Sequence, residues 1–240
     1  MTHAVDPIEV EAFRRAREAV LARIAAAAAR AGSDPDAVTL VAVSKTVPAA
    51  RVRAAVAAGL ELLGENRVQE AEEKAPLVPG ARWHLVGPLQ SNKARRALEV
   101  FDVIESVHSV ELAERIGQVA ASVPGRAAVP VLLQVNVDHD PAKAGFDPET
   151  VDAAIPSLLE LRALDVRGLM TIGRLVDDPE AARPTFVALR ELSARLRARW
   201  PGLGPELSMG MSDDFEVAVE EGATIVRVGR ALFGERASGR

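Results

Sequence analysis

Apolar residues along this chain occur in short runs that alternate with longer segments of helical periodicity. The short runs are rich in valine, leucine and isoleucine, and such runs are typical of strands buried on both faces of a parallel sheet. They predict eight strands, at residues 39–44, 60–64, 83–86, 100–104, 129–135, 166–170, 206–209 and 224–228. We therefore expect a parallel sheet that is covered by helices.

The segments between these runs carry the signals of helices. A first helix precedes the first strand, because Asp6 can cap it, Pro7 suits its first position and Gly32 offers a stop. Further helices are predicted near residues 49–58, 68–77, 91–98, 110–122, 148–164, 179–200 and 213–221. The pairs Asp147-Pro148 and Asp178-Pro179 are typical starts for two of them.

Eight strands with intervening helices predict an α/β protein, namely a single (β/α)8 TIM-type barrel with an extra N-terminal helix. One domain is expected over residues 1–240, because α/β barrels of this size are commonly undivided. A doubly wound open sheet is the main alternative. Such a sheet normally has a glycine-rich turn after its first strand, where this chain has Ser44-Lys45-Thr46-Val47-Pro48 instead.

The composition excludes several kinds of site and partner. The chain has no cysteine, so disulfides, thiolate catalysis and cysteine-bound zinc are excluded, and the four histidines have no spacing typical of a metal site. A formal net charge of −5 argues against nonspecific nucleic-acid binding. No signal peptide is expected from the N-terminal residues, and no apolar run approaches the roughly 18 residues of a membrane span. A cytoplasmic protein without membrane or nucleic-acid partners is expected.

The first candidate for chemistry is a lysine at the end of the first predicted strand. Lys45 is one of four lysines among 29 basic residues, in a chain that uses arginine elsewhere. A desolvated lysine loses its proton readily and can attack a carbonyl, whereas an arginine cannot form a Schiff base. The alternative is that Lys45 simply extends into water, as strand-end lysines usually do.

The loops after predicted strands seven and eight are candidates for phosphate binding. Residues 208–212 supply two hydroxyls and a glycine, and residues 227–230 lead into a short terminal helical turn. These are the loops that commonly hold phosphate in this fold, although ordinary strand-to-helix turns have similar residues. Arg227 interrupts a strand that should be buried, so it is expected either to form a structural ion pair or to face a ligand.

Several segments, taken in order, resemble one family. They are AVSKT at 42–46, GEN at 64–66, WHLVGPLQSNK at 83–93, GLM at 168–170, LSMGMS at 207–212 and VRVG at 226–229. Together they resemble the YggS/PROSC family of pyridoxal-phosphate homeostasis proteins, whose barrel is shared with the N-terminal domain of alanine racemase. The resemblance implies that Lys45 carries pyridoxal 5′-phosphate (PLP) as an internal aldimine, that Arg227 faces the pyridine nitrogen and that Asn66 contacts the ring region.

The resemblance also implies where the phosphate binds. Ser208 and the backbone at Gly229 and Arg230 would hold it. Arg230 stands where the family commonly has a small hydroxyl residue, which matters little if the contact is a backbone N–H. The loop 138–146 is loosely matched, so a role for Lys143 stays open.

The function expected from the resemblance is noncatalytic: a protein that holds PLP and takes part in its homeostasis and its delivery to the apo-forms of PLP-dependent enzymes. A single-barrel protein is also expected to be a monomer. One alternative is a PLP-dependent racemase or lyase of the barrel type, and another is a Schiff-base aldolase. Racemisation needs an acid–base group on each face of Cα, and alanine racemase uses the cofactor lysine and a tyrosine. This chain has no tyrosine, which argues against efficient racemisation.

Overall fold

The computed structural model describes residues 5–174 and 176–234, and its centre is a closed barrel of parallel strands. Each strand pairs with its sequence neighbour, and the last pairs with the first, so the strand order around the barrel is β1 to β8. The strands are β1 Thr39–Val43, β2 Leu62–Glu65, β3 Arg82–Leu85, β4 Val103–Val107, β5 Val129–Gln134, β6 Leu164–Met170, β7 Glu206–Ser208 and β8 Ile225–Val228. The predicted TIM-type barrel is confirmed.

Helices surround the barrel between the strands. They are α1 Pro7–Ala31, α2 Ala49–Ala57, α3 Val68–Lys74, α4 Ala94–Val100, α5 Val110–Ala121, α6 Val151–Glu160, α7 Arg183–Arg199, α8 Phe215–Glu220 and α9 Arg230–Phe233. None of the helices in the described residues has the length and apolar character needed to cross a bilayer.

The extra N-terminal helix α1 begins and ends where the sequence predicts. The Asp6 side chain accepts a hydrogen bond of 2.9 Å from the Ile8 N–H, which caps the helix, and Gly32 ends it with φ of 65°. The helix packs against α2, α8 and α9, and its buried face includes Phe13. The Phe13 ring lies edge-on to Phe233 with 5.4 Å between centroids, so α1 fastens the short α9 that follows the last strand.

The apolar core has two parts. The larger part lies between the sheet and the helices, and the smaller part fills the interior of the barrel. The interior cluster consists of Val41, Val86, Leu132, Met170 and Ile225, with Val43 and Ile172 packed against it. Because side chains alternate across a strand, the next inward positions beyond this cluster lie toward the C-terminal ends of the strands. Those positions carry the polar residues of the candidate site.

Several predicted element boundaries differ from the structure by two or more residues. The strand predicted at 100–104 is displaced along the chain, because Val100 completes α4 and β4 spans Val103–Val107. The helix predicted at 148–164 begins only at Val151, because the Asp147 side chain accepts the N–H groups of Glu149 and Thr150 in a turn before it. The shift of β4 matters for function, because it brings two polar residues, Glu105 and Ser106, into a fully buried strand.

We expect Phe13→Ala to lower the free energy of unfolding by about 3 kcal/mol, because it leaves a cavity between α1 and α9. Ile8 lies on the same helix but is 78% exposed, so Ile8→Ala is the matched control and should change stability by less than about 0.5 kcal/mol. Urea unfolding followed by circular dichroism measures both variants. Equal effects would contradict the packing described for α1.

Candidate functional site

The C-terminal ends of the strands surround a cavity of about 320 Å³. It is lined by Val43, Lys45, Asn66, Val86, Ile172, Met211, Ser212, Asp213, Arg227, Gly229 and Arg230. Five of the six residues expected at a ligand site from the sequence therefore meet at one cavity, and they come from the ends of β1, β2 and β8. The sixth residue, Ser208, is not among the lining residues.

Lys45 lies between two cavities. It lines the one just described and also a neighbouring cavity of about 360 Å³, which is bounded by the residues after β1 and by α9. Val43, Gly229 and Arg230 line both cavities as well. A ligand joined to the Lys45 side chain would thus have space on two sides, and one wall would be the backbone after β8.

Ser208 is fully buried beneath the cavity and is occupied by protein partners. Its hydroxyl donates to Glu105 Oε2 at 2.6 Å and accepts a hydrogen bond from Arg227. A hydroxyl used in this way and absent from the cavity wall has no geometric support as a phosphate ligand. Instead, Ser208 links the buried glutamate to the buried arginine.

Ser212 lines the cavity wall, whereas Ser208, the phosphate ligand predicted from the sequence, does not. The Ser212 Oγ accepts hydrogen bonds from the N–H groups of Gly229 at 3.1 Å and Ala231 at 3.4 Å. The turn before it requires Gly210, which has φ of +89° and whose added Cβ would lie 2.5 Å from the Ala218 Cβ. A hydroxyl and the backbone donors that begin α9 therefore converge on one side of the cavity.

Arg227 forms part of the cavity floor and is itself buried. Its guanidinium donates to the Thr171 carbonyl at 2.7 Å and to Ser208, and it lies 4.0 Å from Glu105 Oε2. Burial lowers the pKa of Arg227, and the charges of Glu105 and Asp214 oppose that shift. The structural ion pair expected from the sequence is present, and because Arg227 also lines the cavity, its contact with a ligand stays a prediction.

Glu105 is the buried counter-charge, and sequence reasoning missed it. It is completely buried, and its Oε1 lies 2.6 Å from His84 Nδ1. Burial by itself would raise the pKa of Glu105, but the hydrogen bonds and charges of His84 and Arg227, with the Ser208 hydroxyl, hold the pKa below its ordinary value. The available signal was a charged residue inside an apolar run, which is the same signal that identified Arg227.

A second polar cluster lies behind Lys45, between the barrel and α3. It contains Ser44, Thr46, Glu65, Glu70 and Lys74, and the two charges at its centre, Glu65 and Lys74, are buried. Burial raises the pKa of Glu65, while the hydrogen bond and the charge of Lys74 oppose the increase. The sequence analysis assigned no role to these residues.

Two further residues shape the cavity from its rim. Asn66 lies so close to the loop after β3 that a Cβ at Gly87 would be 2.3 Å from the Asn66 carbonyl oxygen. Lys143, whose role the sequence left open, donates to the carbonyls of Ile172 at 3.1 Å and Gly173 at 2.9 Å. It thus holds the segment that carries Ile172 against the cavity.

The arrangement suits a small ligand with a carbonyl carbon, a flat apolar body and an anionic group. Lys45 offers an amine for the carbonyl, Val86 and Met211 offer apolar surface, and the Ser212 hydroxyl, beside the backbone that begins α9, offers a donor for the anion. Within the described residues no cluster of histidine and carboxylate side chains has the arrangement of a metal site. The residues present therefore fit PLP, the group that the sequence resemblance implies.

Comparison with known proteins gives a consistent result. The family profile described as alanine racemase, N-terminal domain, matches residues 16–237. The pyridoxal phosphate homeostasis protein of Pseudomonas aeruginosa is 45% identical over 219 residues, which is 90% of this chain and 93% of that protein. The structure of PipY from Synechococcus elongatus with PLP bound is 44% identical, with a TM-score of 0.78, and the match covers 88% of this chain and 100% of that chain.

A structure of alanine racemase shows a weaker similarity, in fold. The enzyme of Clostridium difficile 630 has a TM-score of 0.73 at 16% identity, over 95% of this chain and 58% of the racemase. A similarity at this level of identity indicates a common fold.

We expect Glu105→Gln to lower the free energy of unfolding at pH 7 by about 3 kcal/mol, because it leaves the buried Arg227 without its counter-charge. The pKa of Glu105 is depressed in the folded protein, so its contribution is present above the unfolded pKa of about 4.3 and is lost as the pH falls through the folded pKa. The difference between wild type and variant should therefore shrink in acid.

Urea unfolding of both proteins across that pH range makes the comparison. Glu73 is exposed on α3, so Glu73→Gln serves as the control and should show no such pH-dependent difference. A difference between wild type and Glu105→Gln that stays constant into acid would contradict the proposed charge pairing.

Proposed function

The chain belongs to the family of the alanine racemase N-terminal domain, among its pyridoxal phosphate homeostasis proteins, and from this membership we propose that it binds PLP in the cavity at Lys45. The observation that carries the proposal is the meeting of Lys45, Arg227 and Ser212 at one cavity. A primary amine, a buried cation and a cluster of hydrogen-bond donors correspond to the aldehyde, the ring nitrogen and the phosphate of this ligand.

Lys45 is proposed to hold PLP covalently. Its uncharged ε-amine attacks the aldehyde carbon, and loss of one water molecule leaves a C=N bond between lysine and ligand. The same step runs backwards when water adds to the C=N bond, so the attachment is reversible. Reversibility suits a protein whose role is to hold and release PLP.

The phosphate is proposed to bind beside Ser212, at the backbone of Gly229 and Arg230. The support is that the N–H groups of Gly229 and Ala231 already point to one oxygen atom, the Ser212 Oγ, at this side of the cavity. Ser208 has no direct contact in this proposal. Its hydroxyl instead supports Arg227 from below.

Arg227 is proposed to face the pyridine nitrogen. A permanent cation there disfavours protonation of that nitrogen through like-charge repulsion. A neutral ring is a weaker electron sink, which restrains carbanion chemistry at an amino-acid substrate. This argues for binding and homeostasis over the racemase or lyase alternative, as does the lack of tyrosine in the chain.

Lys45→Ala should abolish the visible absorbance that the C=N bond gives to the PLP-loaded protein and should weaken PLP binding by at least about tenfold, while the fold survives. The reason is that the covalent link is lost while the proposed phosphate contacts remain. Absorbance titration with PLP, together with borohydride reduction and peptide mass mapping, measures the attachment. Lys93→Arg is a matched control, since Lys93 does not line the cavity.

Three results would oppose the proposal in different ways. An unchanged spectrum in Lys45→Ala would assign the ligand to another lysine. A wild-type protein that stays colourless with PLP would favour the aldolase alternative. Rapid, Lys45-dependent exchange of the Cα hydrogen of L-alanine in deuterated water would favour the racemase alternative.

Ser212→Ala should raise the Kd for PLP by about tenfold while the absorbance at saturation stays unchanged, because a hydrogen bond to a charged group contributes about 1.5 kcal/mol. Ser208→Ala is the matched comparison. It should leave the Kd nearly unchanged and lower the free energy of unfolding by about 1–3 kcal/mol, because it removes the buried link between Glu105 and Arg227. If Ser208→Ala raises the Kd for PLP and Ser212→Ala does not, the phosphate contact belongs to Ser208.

The proposal extends to the setting of the protein. We propose a single PLP-binding domain over residues 1–240 that acts as a monomer in the cytoplasm and supplies PLP to apo-forms of PLP-dependent enzymes. A native mass spectrum reports bound PLP and subunit number together. Mixing the loaded protein with an apoenzyme, with and without a trap for free PLP, tests whether transfer is direct.

A further inference from the structure

We propose that Lys74 is a positioning residue for Lys45, because its ammonium gathers the groups that fix the backbone on both sides of Lys45. The inference rests on the proposed function, since it concerns how Lys45 is presented to an aldehyde. It assigns a role to a buried lysine that does not line the cavity.

The ammonium of Lys74 has three oxygen acceptors, each at 2.7 Å. They are the Ser44 carbonyl, Glu65 Oε1 and Glu70 Oε1. The first of these is the peptide group that precedes Lys45. The side chain of Lys74 is only 8% exposed, so these contacts are made with little competition from water.

The groups around Lys74 also hold the residue after Lys45. Glu70 Oε1, which accepts from Lys74, also accepts the N–H of Thr46. Thr46 has φ of 66°, a left-handed conformation that a β-branched residue rarely adopts. Such a conformation persists only where its surroundings determine it, and here Glu70 is the visible determinant.

The position of Ser44 shows why this cluster affects Lys45 directly. The Ser44 hydroxyl donates to Glu65 Oε1 at 2.7 Å, which fixes that side chain on the helix side of the barrel wall. Lys45 follows in the turn that the Val47 N–H closes onto the Ser44 carbonyl, and it lines the cavity at the C-terminal end of the barrel. Fixing Ser44 and Thr46 thus limits where the Lys45 side chain can begin.

The residue type at position 74 supports the same role. The chain uses only four lysines among 29 basic residues, and one of them occupies this site. Three converging oxygens at equal distance match a compact ammonium with three donors. A planar guanidinium is larger and donates in one plane, so an arginine at position 74 would keep the charge and disturb the geometry.

The test uses Lys74→Arg and two ligands. PLP needs both the pocket and a well-placed Lys45, whereas pyridoxine 5′-phosphate has no aldehyde and needs the pocket alone. Lys74→Arg should slow the appearance of the C=N absorbance with PLP on the order of 100-fold, because misplacement of a reacting group costs about that much. The Kd for pyridoxine 5′-phosphate should stay within about twofold of the wild-type value.

Glu72→Gln is the matched control. Glu72 lies on the same helix and pairs with Arg96 at the surface, so both ligands should bind this variant as they bind the wild type. If Lys74→Arg does not fold, Glu70→Ala decides the question, because it removes the acceptor of the Thr46 N–H at a partly exposed helical position. This variant should slow C=N formation by about tenfold.

If a folded Lys74→Arg or Glu70→Ala variant reacts with PLP at the wild-type rate, the positioning role of Lys74 is overturned and the proposed function stands. Equal loss of PLP and pyridoxine 5′-phosphate binding would also overturn the positioning role, because the cluster would then support the pocket as a whole. Failure of the wild-type protein to form the C=N bond would instead overturn the proposed function.

Discussion

Two glutamates, Glu65 and Glu105, are completely buried at the end of the barrel that carries the cavity, and the site depends on how their charges are compensated. An unpaired carboxylate in such a place would cost several kcal/mol, so each must meet a cation and further donors. Glu65 meets Lys74 outside the barrel wall, and Glu105 meets His84 and Arg227 inside it. These two pairings fix the cluster behind Lys45 and the arginine at the cavity floor.

Buried ion pairs of this kind fix the positions of the paired side chains, but they add little to the free energy of unfolding. The gain from pairing is largely offset by the loss of hydration, so well-packed apolar residues would hold the barrel at least as well. A barrel end filled with valine and leucine, like the interior cluster below it, would however place no charge at the cavity. The polar clusters are therefore best understood as devices that orient Arg227 and, by our proposal, Lys45.

The sequence predicted the barrel because parallel strands buried on both faces leave clear apolar runs. The sequence could also predict which residues meet at the cavity, among them Lys45, Asn66 and Arg227, because residues at the C-terminal ends of barrel strands lie at one edge. Glu105 was missed because the apolar Val100 was assigned to a strand when it completes a helix. That Ser212 lines the cavity and Ser208 does not depends on depth within the barrel, which the turn at Gly210 sets and no local pattern reveals.

The sequence could not predict the cluster around Lys74, and the reason is different. Its members come from β2, from α3 and from the loop after β1, and a lysine beside glutamates on a helix normally indicates a solvated surface. Only the closure of the barrel turns that helix face inward and buries Lys74 against Glu65. Pairing between elements that are distant in sequence is a property of the assembled fold and leaves no periodic signal in one chain.

The cluster around Lys74 and the cluster around Arg227 are separate. This separation suggests how one barrel fold can serve either ligand binding or catalysis. Among the described residues, the contacts of Lys74 and those of Arg227 involve no common side chain. Under the proposed function, attachment at Lys45 depends on the first cluster and the electronic state of the ring depends on the second. A substitution near Arg227 would then alter the reactivity of the bound ligand and leave its attachment intact. In this chain the second cluster keeps a buried cation at the cavity, held by Ser208, the Thr171 carbonyl and the charge of Glu105. By our proposal that cation favours retention of the ligand over reaction.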